Sequence, residues 1–170
     1  MKKLAKLTAL LLTGVMLLLL ASCGAAPLMS EQQAKQNILI ALNGYRAQEG
    51  ATAVKEIPEL SAAEQFWVDA FRKAGDYKMS DSEFDSVFPK YKGMRPSEWV
   101  QGSNSYLGWE SPTYDYFLLE DTDPSDATRL MQRFATRSGF KNDRYTAVGI
   151  GVTTINGKIY WACTMYAPAN

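Results

Sequence analysis

The feature that most limits the fold of this chain lies near its C-terminus. From Tyr145 to Thr154, Val148, Ile150 and Val152 alternate with Ala147, Gly149 and Gly151. Asn156-Gly157 follows, the strongest short signal for a two-residue hairpin turn, because both turn positions need positive φ. Lys158 to Tyr166 then returns, with Ile159, Trp161, Cys163 and Met165 on one face and Tyr160, Ala162, Thr164 and Tyr166 on the other. Strict period-two alternation predicts two strands of an antiparallel sheet. Gly149 and Gly151 leave one face without side chains, so something bulky is expected to pack closely there.

Upstream, the period changes to that of a helix. Ser30 and Gln33 form a capping-box pattern, and Ala34, Ile38, Ala41, Leu42 and Tyr45 recur at helical spacing up to the stop at Gly50. This predicts a helix over 31–48. Ser61 and Glu64 repeat the pattern, and Ala63, Phe66, Trp67, Ala70 and Phe71 give an apolar face read as core, so a second helix is predicted over 61–74. A third is predicted over 125–137, with Ala127, Leu130, Met131 and Phe134 inward and Arg129, Arg133 and Arg137 on a solvated stripe. Its acidic lead-in, Glu120, Asp121, Asp123 and Asp126, reads as capping by Asp123 or Ser125. That run lacks the Gly and distal Glu of a calcium loop.

The middle is less regular. Asp81 to Phe88 fits a short helix, Pro96 to Trp99 a turn, and Tyr114 to Leu119 a short strand. Trp99, Tyr106, Trp109, Tyr114, Tyr116 and Phe117 crowd this stretch. They either line a ligand groove or cover the core beneath irregular loops, and the second reading is the simpler one.

At the other end, Lys2, Lys3 and Lys6 precede an apolar run from Leu7 to Leu20 and then small residues, the order of a secretory signal. An uncleaved membrane span is the alternative, but the run is short for a hydrocarbon core that takes about 20 apolar residues. Leu20-Ala21-Ser22-Cys23 resembles the bacterial lipobox. The resemblance implies cleavage after residue 22 and a diacylglyceryl thioether on Cys23, with palmitate-type chains. Each buried CH₂ contributes about 0.8 kcal/mol, so two or three chains hold stably. Residues 23–29 then form a lipidated tether and 30–170 one domain. The expected location is the extracytoplasmic side of a cell membrane, lipid-anchored.

Composition narrows the chemistry. Three of the 18 basic residues lie in the signal and none of the 18 acidic ones does, leaving 15 against 18 and a formal charge of −3. That gives no support for nucleic-acid binding, which wants a basic face. With Cys23 acylated, Cys163 has no disulfide partner within the chain and reads as a small buried hydrophobe. The chain has no histidine. This removes Ser-His-Asp and Cys-His catalysis and His-ligated zinc, and leaves carboxylate chemistry and oxygen-ligated calcium.

Two segments resemble the CAP superfamily of cysteine-rich secretory, antigen-five and pathogenesis-related proteins. One is Leu42-Asn43-Gly44-Tyr45-Arg46-Ala47 with Ile57-Pro58-Glu59-Leu60-Ser61-Ala62-Ala63; the other is Asn142-Asp143-Arg144-Tyr145-Thr146-Ala147-Val148-Gly149-Ile150-Gly151-Val152 with Tyr160-Trp161. The resemblance implies an α/β (α+β) fold, a three-layer α–β–α sandwich with a small antiparallel sheet and a surface cleft. In many members that cleft holds two His and two Glu that bind a metal. Here the position of the later His falls on Thr136, and that of a Glu falls on Ser103, beside Asn104. The fold and cleft carry over; no metal, cofactor or catalytic tetrad does. The candidate cleft residues are Trp99, Ser103, Asn104, Tyr106, Trp109 and Thr136.

Three functions follow as expectations. The first is a membrane-anchored, non-catalytic binding module for lipid, cell-wall glycan or protein. The second is a carboxylate-dependent hydrolase of cell-wall or peptide substrates, for which Glu98, Glu110 and Asp115 are available but unpaired by spacing. The third is a surface protein that meets another protein through an exposed apolar patch.

Overall fold

A computed structural model describes residues 29–74, 105–110 and 116–169. In chain order the elements are α1 (Glu31–Gln48), β1 (Lys55–Glu56), α2 (Pro58–Ala74), β2 (Ser105–Tyr106), β3 (Trp109–Glu110), β4 (Tyr116–Glu120), α3 (Ala127–Ala135), a 3₁₀ turn (Ser138–Lys141), β5 (Ala147–Ile155) and β6 (Lys158–Pro168). The predicted 81–88 helix and the turn at Pro96 to Trp99 lie outside the described residues.

The terminal hairpin organises the rest. β5 and β6 pair antiparallel from Ala147–Tyr166 to Ile155–Lys158, and Asn156 and Gly157 adopt the positive φ of 51° and 78° that a two-residue turn needs. β5 fills one edge of β6. β4 and β3 share the other, through Phe117–Cys163 and Trp109–Pro168. β1 lies beside β5, Lys55 opposite Ala147, and runs parallel to it. The sheet is therefore mixed rather than purely antiparallel. Two charged residues, Lys55 and Glu56, carry no strand signal of their own, so β1 had no mark in the sequence.

Alternation along the hairpin separates two cores. Val148, Ile150, Val152, Trp161, Cys163 and Met165 face a layer built from α1 and α3, where Ile38, Leu42, Leu130, Phe134 and Phe140 are buried. Leu60 of α2 packs with Ala147 and Tyr166 on the other face. The result is the expected three-layer α/β sandwich. Phe117 stacks on Phe140 at 4.9 Å and meets Trp161 edge-on at 5.6 Å. For this aromatic, covering the core is the outcome.

α1 spans the predicted residues, and Ser30 Oγ accepts the Gln33 N–H at 3.1 Å. The reciprocal half of the box is replaced, since Gln33 Nε2 donates to Asn37 Oδ1. α2 departs more. It begins at Pro58, a turn before the predicted start, with proline at the first helical position where a missing N–H costs nothing. Ser61 and Glu64 are thus not caps but inward side chains. Trp67 and Phe71 are buried as expected, while Phe66 is 49% exposed.

The close packing at the glycines is with helix backbone. A Cβ on Gly149 would lie 2.7 Å from Leu60 O, and one on Gly151 2.4 Å from Glu64 C and O. This proximity lets α2 side chains serve the edge of β5 that β1 does not reach. Ser61 Oγ accepts the Ile150 N–H at 3.1 Å; Gln65 accepts the Val152 N–H at 3.1 Å and donates to the Val152 carbonyl at 2.9 Å. Glu31 of α1 takes the Thr154 N–H at 2.8 Å. Side chains thus occupy bonding groups that an open edge would offer to another strand.

In the last turn of α1, Arg46 is fully buried. It donates to four backbone carbonyls: Thr52 and Phe140 at 2.6 Å, Asn142 and Tyr145 at 3.2 Å. One guanidinium ties the loop after α1 to the lead-in of β5.

Among the described residues the β2–β3 turn contains the one large apolar residue in a left-handed conformation, Leu107, at φ 52° and 59% exposed. A non-glycine residue there costs on the order of 1 kcal/mol, less for Asn, and little burial is at stake. Leu107→Asn is expected to raise stability by about 0.5–1 kcal/mol in urea denaturation; a loss would show that Leu107 makes a contact worth more than its strain.

Candidate functional site

The predicted cleft residues are placed as follows. Cys23, Trp99, Ser103 and Asn104 lie outside the described residues. Tyr106 pairs with Trp109 across the β2–β3 turn. Trp109 is half-buried against Leu60, Ala147 and Tyr166, on the α2 face. Thr136 ends α3, in the opposite layer. Trp109 and Thr136 are therefore not neighbours.

Thr136 does rim an open concavity of about 650 Å³. Asp121, Thr122 and Asp123 enter it from the segment after β4; Arg129, Gln132 and Arg133 from α3; and Lys158 from the start of β6. The walls are held by specific contacts. Trp161 Nε1 donates to the Thr122 carbonyl at 2.9 Å, pinning that segment to β6. Asp123 accepts both the Ser125 N–H and its hydroxyl at 2.8 Å, and these bonds hold its carboxyl below the usual range. Asp126 is the cap of α3, accepting the Arg129 N–H at 3.0 Å, so neither Asp123 nor Ser125 fills the predicted role.

Charge in the concavity is balanced. Arg133 forms a two-pronged pair with Glu120, Nε to Oε2 at 2.7 Å and Nη2 to Oε1, and this hydrogen bonding raises its already high pKa. Its guanidinium also sits 4.6 Å from the Phe117 ring centroid, with that of Arg137 at 5.3 Å. The predicted solvated stripe is thus partly engaged: Arg129 is exposed, whereas Arg133 is half-buried between a carboxylate and an aromatic face. Lys158 reaches Asp121 Oδ2 at 2.6 Å. Glu120 and Arg133 lie 13 residues apart and Asp121 and Lys158 lie 37 apart, so neither partnership left a trace in local sequence pattern. The acidic run itself was visible, but its partners were not.

A second polar group lies inside. Glu64 is fully buried between α2 and the sheet; Tyr166 Oη donates to its Oε1 at 3.1 Å, and Oε2 has no hydrogen-bond partner among the described residues. Burial pushes its carboxyl up to about 8, with the nearby Thr164 and Tyr166 hydroxyls opposing. Cys163 is a free, buried thiol, raised first by burial and then by Glu64. Of the acids available to a hydrolase, Glu110 pairs with Arg144 at 3.2 Å on the surface; Glu98 and Asp115 lie outside the described residues. Among the described residues no three His, Cys, Asp or Glu side chains converge to hold a metal ion, and no helix is long and apolar enough to cross a membrane.

Fold and site together define a mixed α/β sandwich with a charged, open concavity at one end of its sheet. No protein-family model matches the chain, and no curated protein matches it.

Proposed function

We propose that this protein is a lipid-anchored, extracytoplasmic CAP-like binding module that holds cell-wall glycopeptide in the concavity at Thr136. Anchorage rests on Leu20-Ala21-Ser22-Cys23 behind a basic and apolar leader. The CAP assignment rests on the two segments around Tyr45 and Tyr145 and is consistent with the three-layer sandwich. The observation that carries the binding reading is the lining at Thr136. It mixes Arg129, Arg133 and Lys158 with Asp121, Asp123, Gln132 and Thr136, all hydrogen-bonding groups. Its volume is that of a ligand site. Such walls suit a hydrated ligand bearing hydroxyls, amides and both signs of charge. They do not suit an acyl chain, which would strip water from these groups and offer no hydrogen bond in its place.

Two experiments test the proposal. Cys23→Ala should abolish palmitate labelling and move the protein out of the membrane fraction; a variant still lipidated would remove the anchor. A thermal-shift series on the Cys23→Ala chain should show stabilisation by soluble peptidoglycan fragments and none by phospholipid vesicles. At 100 times the dissociation constant the stabilisation is about 2.7 kcal/mol. A saturable shift with zinc or calcium would instead reveal a metal site built without histidine.

A further inference from the structure

Glu64 has no part in the concavity, yet it is fully buried with one carboxyl oxygen lacking a hydrogen-bond partner among the described residues. It projects from α2 at the point where the helix backbone crosses β5 over Gly149 and Gly151, too close for any side chain between them. On the side of the two glycines the helix backbone itself closes the space, so water reaches the carboxyl from there only if the helix moves. Oε1 has one donor, Tyr166, while Oε2 and the neighbouring Thr164 Oγ1 are both without a hydrogen-bond partner among the described residues. A carboxylate in that position would face two hydroxyls and, among the described residues, no cation. A carboxylic acid would carry a donor of its own for the unpaired oxygens, and a neutral acid is the form that a dry interior tolerates.

We propose that the contact between α2 and the sheet is a proton-operated latch, closed while Glu64 is protonated and loosened when it ionises. The groups facing Glu64 from each packed element support this. β6 presents Tyr166 and Thr164, with the Cys163 thiol on its far side; β5 presents Gly149 and Gly151; on α2 the neighbour is Ser61, whose hydroxyl donates to Glu56 of β1 at 2.7 Å. Among the described residues no Lys or Arg figures among the groups acting on Glu64. Loosening has a structural consequence, because Ser61 and Gln65 of the same helix cover the β5 edge at Ile150 and Val152. The latch therefore also controls whether that strand edge is open.

The sign follows from proton linkage. The folded-state carboxyl titrates near 8 and an ordinary glutamate near 4.5. Stability from the bound proton is fully present below the lower value and is lost as pH rises through the higher one. Within that window each pH unit lowers the folding constant up to about tenfold. The chain has no histidine, so no side chain of ordinary pKa confuses the range from 6 to 8.

The test is urea denaturation of the mature chain between pH 6 and 8, with ¹³C-carboxyl NMR of Glu64 in the native protein. The wild type should lose stability up to about a hundredfold in the folding constant across this range, and Glu64→Gln should be flat. The NMR signal should be that of a neutral acid at pH 6. If Glu64→Gln fails to fold, the NMR titration decides alone. A carboxylate signal at pH 6, or an equal slope in wild type and Glu64→Gln, overturns the latch.

Discussion

Gly151→Ala is expected to destabilise the protein by more than about 4 kcal/mol, at the far end of what single substitutions do. The added Cβ would stand 2.4 Å from the backbone carbon and oxygen of Glu64 and 2.7 Å from the Gln65 nitrogen. Those atoms belong to a helix, so no side-chain rotation relieves the overlap. α2 would have to back away from β5, breaking the bonds of Ser61 and Gln65 to the strand and opening the space around Glu64. Gly44→Ala is the control with the opposite sign. Its Cβ meets only Met131 sulfur at 3.6 Å, an ordinary contact in mid-helix. Alanine there should stabilise by about 0.5–1 kcal/mol through lower unfolded-state entropy. Urea denaturation at pH 6 reads both, and a loss below about 1 kcal/mol at Gly151 would mean that α2 is not seated on the sheet as described.

Arg46→Met should cost a similar amount, more than about 4 kcal/mol. The substitution keeps much of the apolar stem but removes the donor from four backbone carbonyls: those of Phe140 and Tyr145 are buried, at roughly 1–3 kcal/mol each when unsatisfied, that of Thr52 is partly buried, and that of Asn142 still accepts the Tyr145 N–H at 3.2 Å. The charge itself is not the main issue. Asp143 is 3.8 Å away and 64% exposed, so Asp143→Asn should change stability by less than about 1 kcal/mol. Arg46→Lys should not rescue the loss, because one ammonium cannot serve carbonyls spread over Thr52, Phe140, Asn142 and Tyr145. Thermal unfolding of the three variants separates the readings. If Asp143→Asn cost as much as Arg46→Met, an ion pair rather than the carbonyl network would be holding these loops.

Where structure is set by neighbours in sequence, the residues announced it. The hairpin at Asn156-Gly157, the α1 boundaries with Ser30, and the inward faces of β5 and β6 all follow from local pattern. Where long-range packing decides, local pattern misleads. Ser61-x-x-Glu64 spells a capping box, but Pro58 starts the helix earlier and turns both side chains toward the sheet. Phe66 fits an apolar stripe, yet α2 buries Trp67 and Phe71 while leaving Phe66 half out. Arg133 sits in a row of arginines, and only the fold brings Glu120 and Phe117 to it. The candidate site was legible in part. The family resemblance singled out Thr136, which lies on the rim of the concavity, whereas Lys158 arrives from a turn whose sequence speaks only of hairpin geometry. Trp109 came from aromatic crowding alone, and it packs on the α2 face instead.

The central claim is that the concavity at Thr136 binds a polar, cell-wall type ligand. Calorimetric titration of the Cys23→Ala chain with soluble peptidoglycan fragments, beside the same titration of Thr136→Trp, tests it most directly. Thr136 is exposed at the end of α3, so a bulky side chain there fills the concavity without entering the core. Saturable binding is expected for the parent chain, with at least about a tenfold loss in Thr136→Trp, the equivalent of 1.4 kcal/mol. Equal affinity in the two proteins, or no heat with the parent chain, would contradict it.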